Sequence, residues 1–135
     1  MINPVWAGCV AASEDELRTW LSEQKSVCNF AWSSQARGFF TDRAGPDKLE
    51  DRELSNSWYS PENFERRRRA FELAAKLGVQ PINVALAYVL NQPFPQVALV
   101  GPRTLEELRT TLAGISIELS EKTMAWLDLR AGRRE

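Results

Sequence analysis

Apolar positions along this chain recur at two spacings, which predict helices alternating with short strands. Leu17, Trp20 and Leu21 fall at i, i+3 and i+4 and predict one buried stripe on a first helix. Ser13 opens this helix, and Glu16 completes a capping box. Further helices are predicted over residues 61–77, 82–91 and 104–113, and from Ser120 to near Arg130. Continuous apolar runs predict a short strand at residues 27–32 and a short buried strand at residues 97–100.

Residues that end or interrupt these patterns define the predicted connections. Ser60 before Pro61 predicts an N-cap for the long helix, and Gly78 its C-terminal stop. Residues 1–12 and 41–60 keep neither spacing and predict loops, and a loop of the second length is usually functional or disordered. The resulting order (helix, strand, loop, two helices, strand, two helices) is typical of parallel strands joined by helical crossovers.

The second predicted strand leads through a turn into a helix start. Gly101 and Pro102 end the strand, and Thr104 with Glu107 forms a T-x-x-E capping box. This arrangement exposes backbone N–H groups at one end of a sheet, which is the geometry that holds an anion such as a phosphate. Arg103 lies beside the helix start, where an anion is already favoured.

A comparable strand-to-loop segment follows the first predicted strand. Arg37 offers a cation and Gly38 a close backbone approach to a phosphate, although Gly38 has the simpler reading of a turn residue. Trp32 ends the strand and either packs in the core, the commoner role, or offers an aromatic face to a flat ligand ring. Two such segments in one chain favour a phosphate-binding function more than either does alone.

Composition narrows the function classes. The 135 residues suit one domain or part of one, and a net charge of −1 offers no field that attracts nucleic acid or an anionic membrane. No membrane span or secretory signal is visible, so a cytoplasmic location is expected. Cys9 and Cys28 lack metal-ligand spacing and predict reduced, partly buried thiols. The chain has no histidine, which removes the usual triads and most zinc sites, and no metal site is predicted.

Two motifs suggest nucleic acid but have simpler readings. Four consecutive arginines, Arg66 to Arg69, spread around a helix, and Glu62 and Glu65 precede two of them at ion-pair spacing, which predicts a solvated helix face. Residues 73–84 resemble a helix-turn-helix, and a DNA-binding role is kept as an alternative. The second helix carries no basic side chain for a DNA groove, so a core helix is the preferred interpretation.

The order of these segments resembles the C-terminal part of an aldo-keto reductase. Residues 30–40, FAWSSQARGFF, look like its seventh strand and following loop, and residues 73–92 resemble the helical pair after that loop. Residues 97–112 are similar to the eighth strand and its helix, and residues 117–128 to the closing helix. The resemblance implies an α/β fold over residues 1–135: an incomplete (β/α)8 TIM barrel, helix-rich with about two short parallel strands.

The resemblance also implies a cofactor, NADP with NAD as the alternative, and a carbonyl-to-alcohol reaction in the complete enzyme. Trp32 stands where the family stacks a tyrosine on the nicotinamide. The implied pyrophosphate loop comprises Ser33, Ser34, Gln35, Ala36, Arg37 and Gly38, and the implied adenosine 2′-phosphate turn comprises Gly101, Pro102, Arg103 and Thr104. Glu107 and Thr111 complete the predicted cofactor site, but Glu107 replaces a basic residue common in the family and disfavours a 2′-phosphate.

The chain departs from the family in one further respect. The family's catalytic Asp, Tyr, Lys and His lie in the first half of the barrel, to which nothing here corresponds, so no catalytic residue is predicted. Whether the chain is itself an enzyme stays open, and we expect no turnover from it alone. Open sheet edges and an exposed apolar patch are expected, favouring self-association or binding to the missing half of the barrel. The alternative functions are a non-catalytic nucleotide-binding or protein-interaction module and the helix-turn-helix DNA binder. The expected partners are the dinucleotide and, in the complete enzyme, an aldehyde or ketone.

Overall fold

The computed structural model describes residues 14–132 as a helix-rich α/β fold with two parallel strands. Its elements are α1 (Asp15–Glu23), β1 (Asn29–Ala31), a 3-10 turn (Ala36–Gly38), α2 (Arg52–Trp58), α3 (Pro61–Leu77), α4 (Pro81–Leu90), β2 (Gln96–Ala98), α5 (Leu105–Leu112) and α6 (Glu121–Leu127). The strands pair in parallel with Phe30 opposite Val97. The prediction of two short parallel strands among helices is therefore confirmed, while the predicted loop at residues 1–12 and the Ser13 cap lie outside the described residues.

The predicted helix caps are largely confirmed. Ser60 Oγ accepts a hydrogen bond from Asn63 N at 3.1 Å, and Pro61 occupies the first turn of α3. Gly78 ends α3 in the left-handed region at φ 67°, which a residue with a side chain adopts only with strain. Ser120 caps α6 in the same way, with Met124 and Leu127 buried as predicted.

Four predictions about local structure are wrong. Trp20 is 46% exposed rather than buried in the predicted stripe, whereas Leu21 of the same stripe is buried as predicted, together with Arg18. Cys28 is exposed rather than partly buried. The strands are shorter than predicted, and Val97, Leu99 and Val100, from the run predicted as a buried strand, are exposed. Among the described elements, α4 packs against β2.

The fourth error is the predicted loop at residues 41–60, which contains α2. Asp51 Oδ1 caps this helix by accepting from Leu54 N at 3.0 Å. Leu54 and Trp58 are both buried at i and i+4, so the short helix contributes to the core. Because α2 is only two turns long, its apolar residues repeat too few times for the helical spacing to be recognised among polar neighbours.

The core lies where α3 packs against α4 and the loop after β1. Phe39 and Phe40 are buried with ring centroids 5.5 Å apart, and Phe64 lies 5.4 Å from Phe39. The α4 residues Val84, Ala85, Leu86, Ala87 and Tyr88 are all buried. Burial of this helix confirms the core-helix interpretation and contradicts a DNA-recognition helix. None of the described helices is by itself long and apolar enough to cross a membrane.

The arginine run on α3 holds other segments in place, so the predicted solvated face is wrong for most of it. Arg67 donates to the carbonyls of Phe39 and Thr41 at 2.9 and 3.0 Å, and Arg69 donates to those of Trp126 and Ala131. Arg68 alone keeps a mainly exposed side chain, 59%, within this run. Its bond to Glu65 is the main reason that the pKa of Glu65 falls to about 2. The predicted Glu65–Arg69 pair is confirmed at 2.8 Å.

Asp128, at the C-terminal end of α6, is the centre of a buried charge cluster. Arg18 Nη1 lies 2.7 Å and Arg130 Nε 3.1 Å from Asp128 Oδ2, and Arg66 Nε lies 3.7 Å from Oδ1. Arg18 also donates to the hydroxyl oxygen of Tyr88 at 2.9 Å, and burial raises the pKa of that phenol. The cluster ties α1, α3 and α4 to the last described turn of the chain.

Candidate functional site

The loops that follow the two strands border one cleft of about 660 Å³. Parallel pairing places both carboxyl ends at the same sheet edge, where Leu99 N donates to Ala31 O at 2.9 Å. Ser34 Oγ then joins the two loops by donating to Leu99 O at 2.7 Å. The cleft is lined by Ser33, Ser34, Gln35, Arg37, Gly38, Thr41, Arg43, Gln80, Ile82, Leu99, Val100, Gly101, Pro102, Arg103, Glu106, Glu107, Thr110 and Thr111.

The cleft brings together the predicted cofactor residues except Trp32, Thr104 and the buried Ala36. Trp32 follows β1 with half of its surface exposed, and its ring centroid lies 6.3 Å from that of Trp58 at an interplanar angle of 42°. Thr104 is the N-cap of α5, where its Oγ1 accepts from Glu107 N at 3.1 Å. The two predicted strand-to-loop segments thus form one site rather than two.

The loop after β1 has an unusual backbone. Ser33, Ala36 and Arg37 have φ values of 49°, 51° and 53°, and Gly38 follows at 90°. Non-glycine residues in the left-handed region cost about 1–3 kcal/mol each and persist only where their surroundings fix them. Buried Ala36, whose N donates to Ser33 O at 2.7 Å, is one such anchor. This conformation directs residues 33–38 along the cleft wall.

Gln35 contributes an unpaired donor to that wall. Its Oε1 accepts a 3.4 Å hydrogen bond from Thr111 Oγ1, across from the loop after β2. Its Nε2 is buried and has no hydrogen-bond partner among residues 14–132. A buried amide N–H without an acceptor is costly in a folded protein, so this atom marks a position suited to a ligand oxygen.

Three arginines line the cleft, and each is paired with a carboxylate. Arg37 Nη2 lies 2.5 Å from Glu53, Arg43 Nη2 2.7 Å from Asp51, and Arg103 Nη2 3.1 Å from Glu107. The hydrogen bond from Leu54 N, followed by that from Arg43, holds the pKa of Asp51 below its usual value. The pairs of Arg37 and Arg43 are exposed, and such pairs contribute about 0–1 kcal/mol, so a phosphate can replace Glu53 or Asp51 at little cost.

The start of α5 departs from the predicted capping box in one bond. Thr104 accepts from Glu107 N as predicted, but Glu107 Oε2 accepts from Arg103 N at 2.6 Å rather than from the N-cap residue. Its Oε1 accepts from the Arg103 guanidinium at 3.1 Å. The Arg103 backbone bond is the largest of the causes that lower the pKa of Glu107.

Sequence reasoning missed several lining residues. Leu99 and Val100 stand directly before the predicted turn at Gly101, so their position was the one available signal. The others are Thr41, Arg43, Gln80, Ile82, Glu106 and Thr110. Gln80 and Ile82 border the cleft because Asn83 Nδ2 donates to Thr110 O and so fixes α4 against α5. Within residues 14–132, no group of three His, Cys, Asp or Glu side chains is placed to hold a metal.

Comparison with known proteins decides the family. Residues 5–129 match the Aldo/keto reductase family. This chain belongs to that family. It is 30% identical over 98 residues to the uncharacterized oxidoreductase YrpG of Bacillus subtilis (strain 168), across 73% of this chain and 30% of that protein. It is 34% identical over 71 residues to Protein tas of Escherichia coli (strain K12), across 52% of this chain and 20% of that protein.

The matched regions cover only 30% and 20% of the lengths of these curated relatives, so the match extends over less than a third of either protein. Aldo-keto reductases generally fold as (β/α)8 barrels that bind nicotinamide dinucleotides and carbonyl substrates. The two parallel strands and crossover helices of this chain are consistent with part of such a barrel.

Proposed function

We propose that this chain forms the dinucleotide-binding part of an NAD(P)H-dependent aldo-keto reductase. It corresponds to the seventh and eighth barrel strands with their loops and helices. The observation that carries the proposal is the single cleft at the carboxyl ends of two paired parallel strands, which is where (β/α)8 enzymes bind their ligands. In the complete enzyme, the nicotinamide supplies the hydride that reduces an aldehyde or ketone to an alcohol.

The groups of the cleft fit a phosphate-bearing ligand. Arg37 and Arg103 provide cations from the two loops; Arg37 is paired with the exposed Glu53 and Arg103 with Glu107. Gln35 Nε2 provides a buried donor that lacks an acceptor among residues 14–132. We assign Arg37, Gly38 and the Gln35 amide to the pyrophosphate, and the turn at Gly101 to the adenosine end. Trp32, half exposed after β1, is the residue that we assign to the nicotinamide ring.

A second candidate, a nucleotide-binding module without catalysis, uses the same cleft. No histidine, lysine, tyrosine or aspartate is among the residues that line it in the described part of the chain. General acid–base chemistry needs a side chain that donates or accepts a proton near the reacting atom, and the lining carboxylates, Glu106 and Glu107, belong to the start of α5, which we assign to the adenosine end rather than to the nicotinamide. We therefore expect the chain by itself to bind a dinucleotide without reducing a carbonyl.

We also propose that the exposed face of the two-stranded sheet is an association surface. Phe30 is 61% exposed and Val97, its register partner, 39% exposed. Leu99 extends this apolar face at 48% exposure. In the purified chain a second copy is the partner available to cover it, and in a complete barrel the remaining strands would do so.

Titration of the 135-residue chain with NADPH and NADH tests the proposed function. We expect saturable binding, seen by calorimetry, that weakens about tenfold in Arg37→Ala because a charge-assisted bond to phosphate is lost. Arg109→Ala is the matched control, since Arg109 is exposed on α5 and does not line the cleft. Failure of both nucleotides to bind, or equal effects of the two variants, contradicts the proposal. Carbonyl-dependent oxidation of NADPH by this chain would contradict the expected lack of turnover.

A further inference from the structure

The geometry points to Glu107 as the residue that selects the cofactor: it fills the anion position at the start of α5 and thereby favours a dinucleotide with a free 2′-hydroxyl over one with a 2′-phosphate. This inference rests on the proposed function and adds the class of dinucleotide. It assigns NAD(H) to this cleft, whereas the resemblance of the chain to aldo-keto reductases implies NADP.

Glu107 already makes the contacts that an incoming phosphate would need. Its Oε2 accepts from Arg103 N at 2.6 Å, and its Oε1 accepts from Arg103 Nη2 at 3.1 Å. One carboxylate therefore takes Arg103 N and one terminal nitrogen of the Arg103 guanidinium. A 2′-phosphate placed there has to displace Glu107 from the two bonds together.

The charge at this end of the cleft is unfavourable to a further anion. Among the cleft-lining residues of the segment 99–111, Arg103 is the one cation, whereas Glu106 and Glu107 are both acidic. The other lining arginines, Arg37 and Arg43, belong to the loop after β1 and are paired with Glu53 and Asp51. A 2′-phosphate carries close to two negative charges at neutral pH and would meet a net negative surface.

A ribose hydroxyl suits the same surroundings. It can donate a hydrogen bond to a carboxylate oxygen, whereas a phosphate dianion has no proton to donate. The bonds between Glu107 and Arg103 can then stay in place, because a carboxylate oxygen has room for a second donor. The start of α5 is thus arranged to accept a sugar hydroxyl without losing its own capping contacts.

The experiment compares two small probes on the full 135-residue chain, adenosine 2′,5′-bisphosphate and 5′-ADP, by calorimetry at about 150 mM salt to limit long-range charge effects. We expect 5′-ADP to bind at least as tightly as the bisphosphate. Glu107→Gln keeps an oxygen for the Arg103 N–H but removes the charge, and it should tighten the bisphosphate about tenfold with little change for 5′-ADP. Glu118→Gln, an exposed glutamate outside the cleft, is the control and should change neither probe.

The outcomes separate this inference from the proposed function. If neither probe nor either dinucleotide binds, both fail. If both probes bind but the unaltered chain takes the bisphosphate tenfold more tightly, the selection by Glu107 is wrong and the dinucleotide site stands. An unchanged ratio of the two affinities in Glu107→Gln, in a variant whose circular dichroism matches the parent, likewise overturns the inference alone.

Discussion

Asp128 connects the C-terminal end of α6 to α1 and α3 through buried ion pairs with Arg18 and Arg66. It is 6% exposed and faces the guanidinium groups of Arg18, Arg66 and Arg130. Asp128→Asn keeps the shape but removes the one negative charge of this cluster, which leaves the buried Arg18 uncompensated. We expect the free energy of unfolding, measured by urea denaturation, to fall by about 3 kcal/mol.

Asp47→Asn is the matched control for that measurement, because Asp47 is exposed in the segment before α2. Its loss of charge should change the free energy of unfolding by less than about 0.5 kcal/mol. Equal losses in the two variants would mean that the Asp128 cluster contributes no more than a surface pair.

Local signals at single residues were predictable, while distant partners were not. Each helix cap, at Ser60, Thr104 and Ser120, joins a side chain to the backbone N–H three residues later. Both groups lie within four consecutive residues, so the cap can be predicted from the local sequence. Arg69, in contrast, donates to carbonyls 57 and 62 residues away. Its position on the helix predicted a solvent-exposed side chain, because the neighbouring sequence does not indicate which distant segment packs beside α3.

At the scale of elements, the close contact of α4 with the end of α5 depends on a glycine. A Cβ added at Gly114 would lie 2.9 Å from Asn83 O and 3.2 Å from Leu86 Cβ, and φ is not positive there, so the constraint is steric. We expect Gly114→Ala to lower the free energy of unfolding by about 1–3 kcal/mol, because the backbone of α4 has to shift.

Gly132→Ala is the comparison, since a Cβ there meets no atom within 4 Å. Thermal unfolding followed by circular dichroism should show no measurable loss for this variant. If Gly114→Ala were as stable as the parent, α4 and α5 would have room to separate, and the contact would not fix Gln80 and Ile82 at the cleft.

Elements were predictable in proportion to their length and period. α3 and α4 follow the predicted bounds within a residue or two, because long helices repeat their apolar spacing and carry their own caps. The two-turn helix α2 was hidden in polar sequence. Both strands were located correctly, but the second was predicted as buried, because the apolar composition of a strand does not show which elements cover it within residues 14–132.

At the scale of the molecule, the candidate site followed from the order of elements. Parallel strands bring their carboxyl ends to one edge, so the loops after β1 and β2 could be expected to meet, and they share the cleft. The ion pairs of Arg37 and Arg43 with α2 could not be foreseen, because α2 itself was not predicted. Cofactor binding by these residues stays a prediction.

The exposed sheet face should control the assembly of the purified chain. Phe30 and Val97 lie opposite each other on neighbouring strands and carry no charge that would oppose contact between two copies. We expect concentration-dependent association in sedimentation velocity, with an association constant that falls at least tenfold in the double variant Phe30→Ser, Val97→Ser, since apolar area is then no longer withdrawn from water. Leu105→Ser with Ile115→Ser removes similarly exposed apolar side chains away from the sheet and should leave association unchanged. A single mass at all concentrations, or equal effects of the two double variants, would show that the sheet face is not the contact surface.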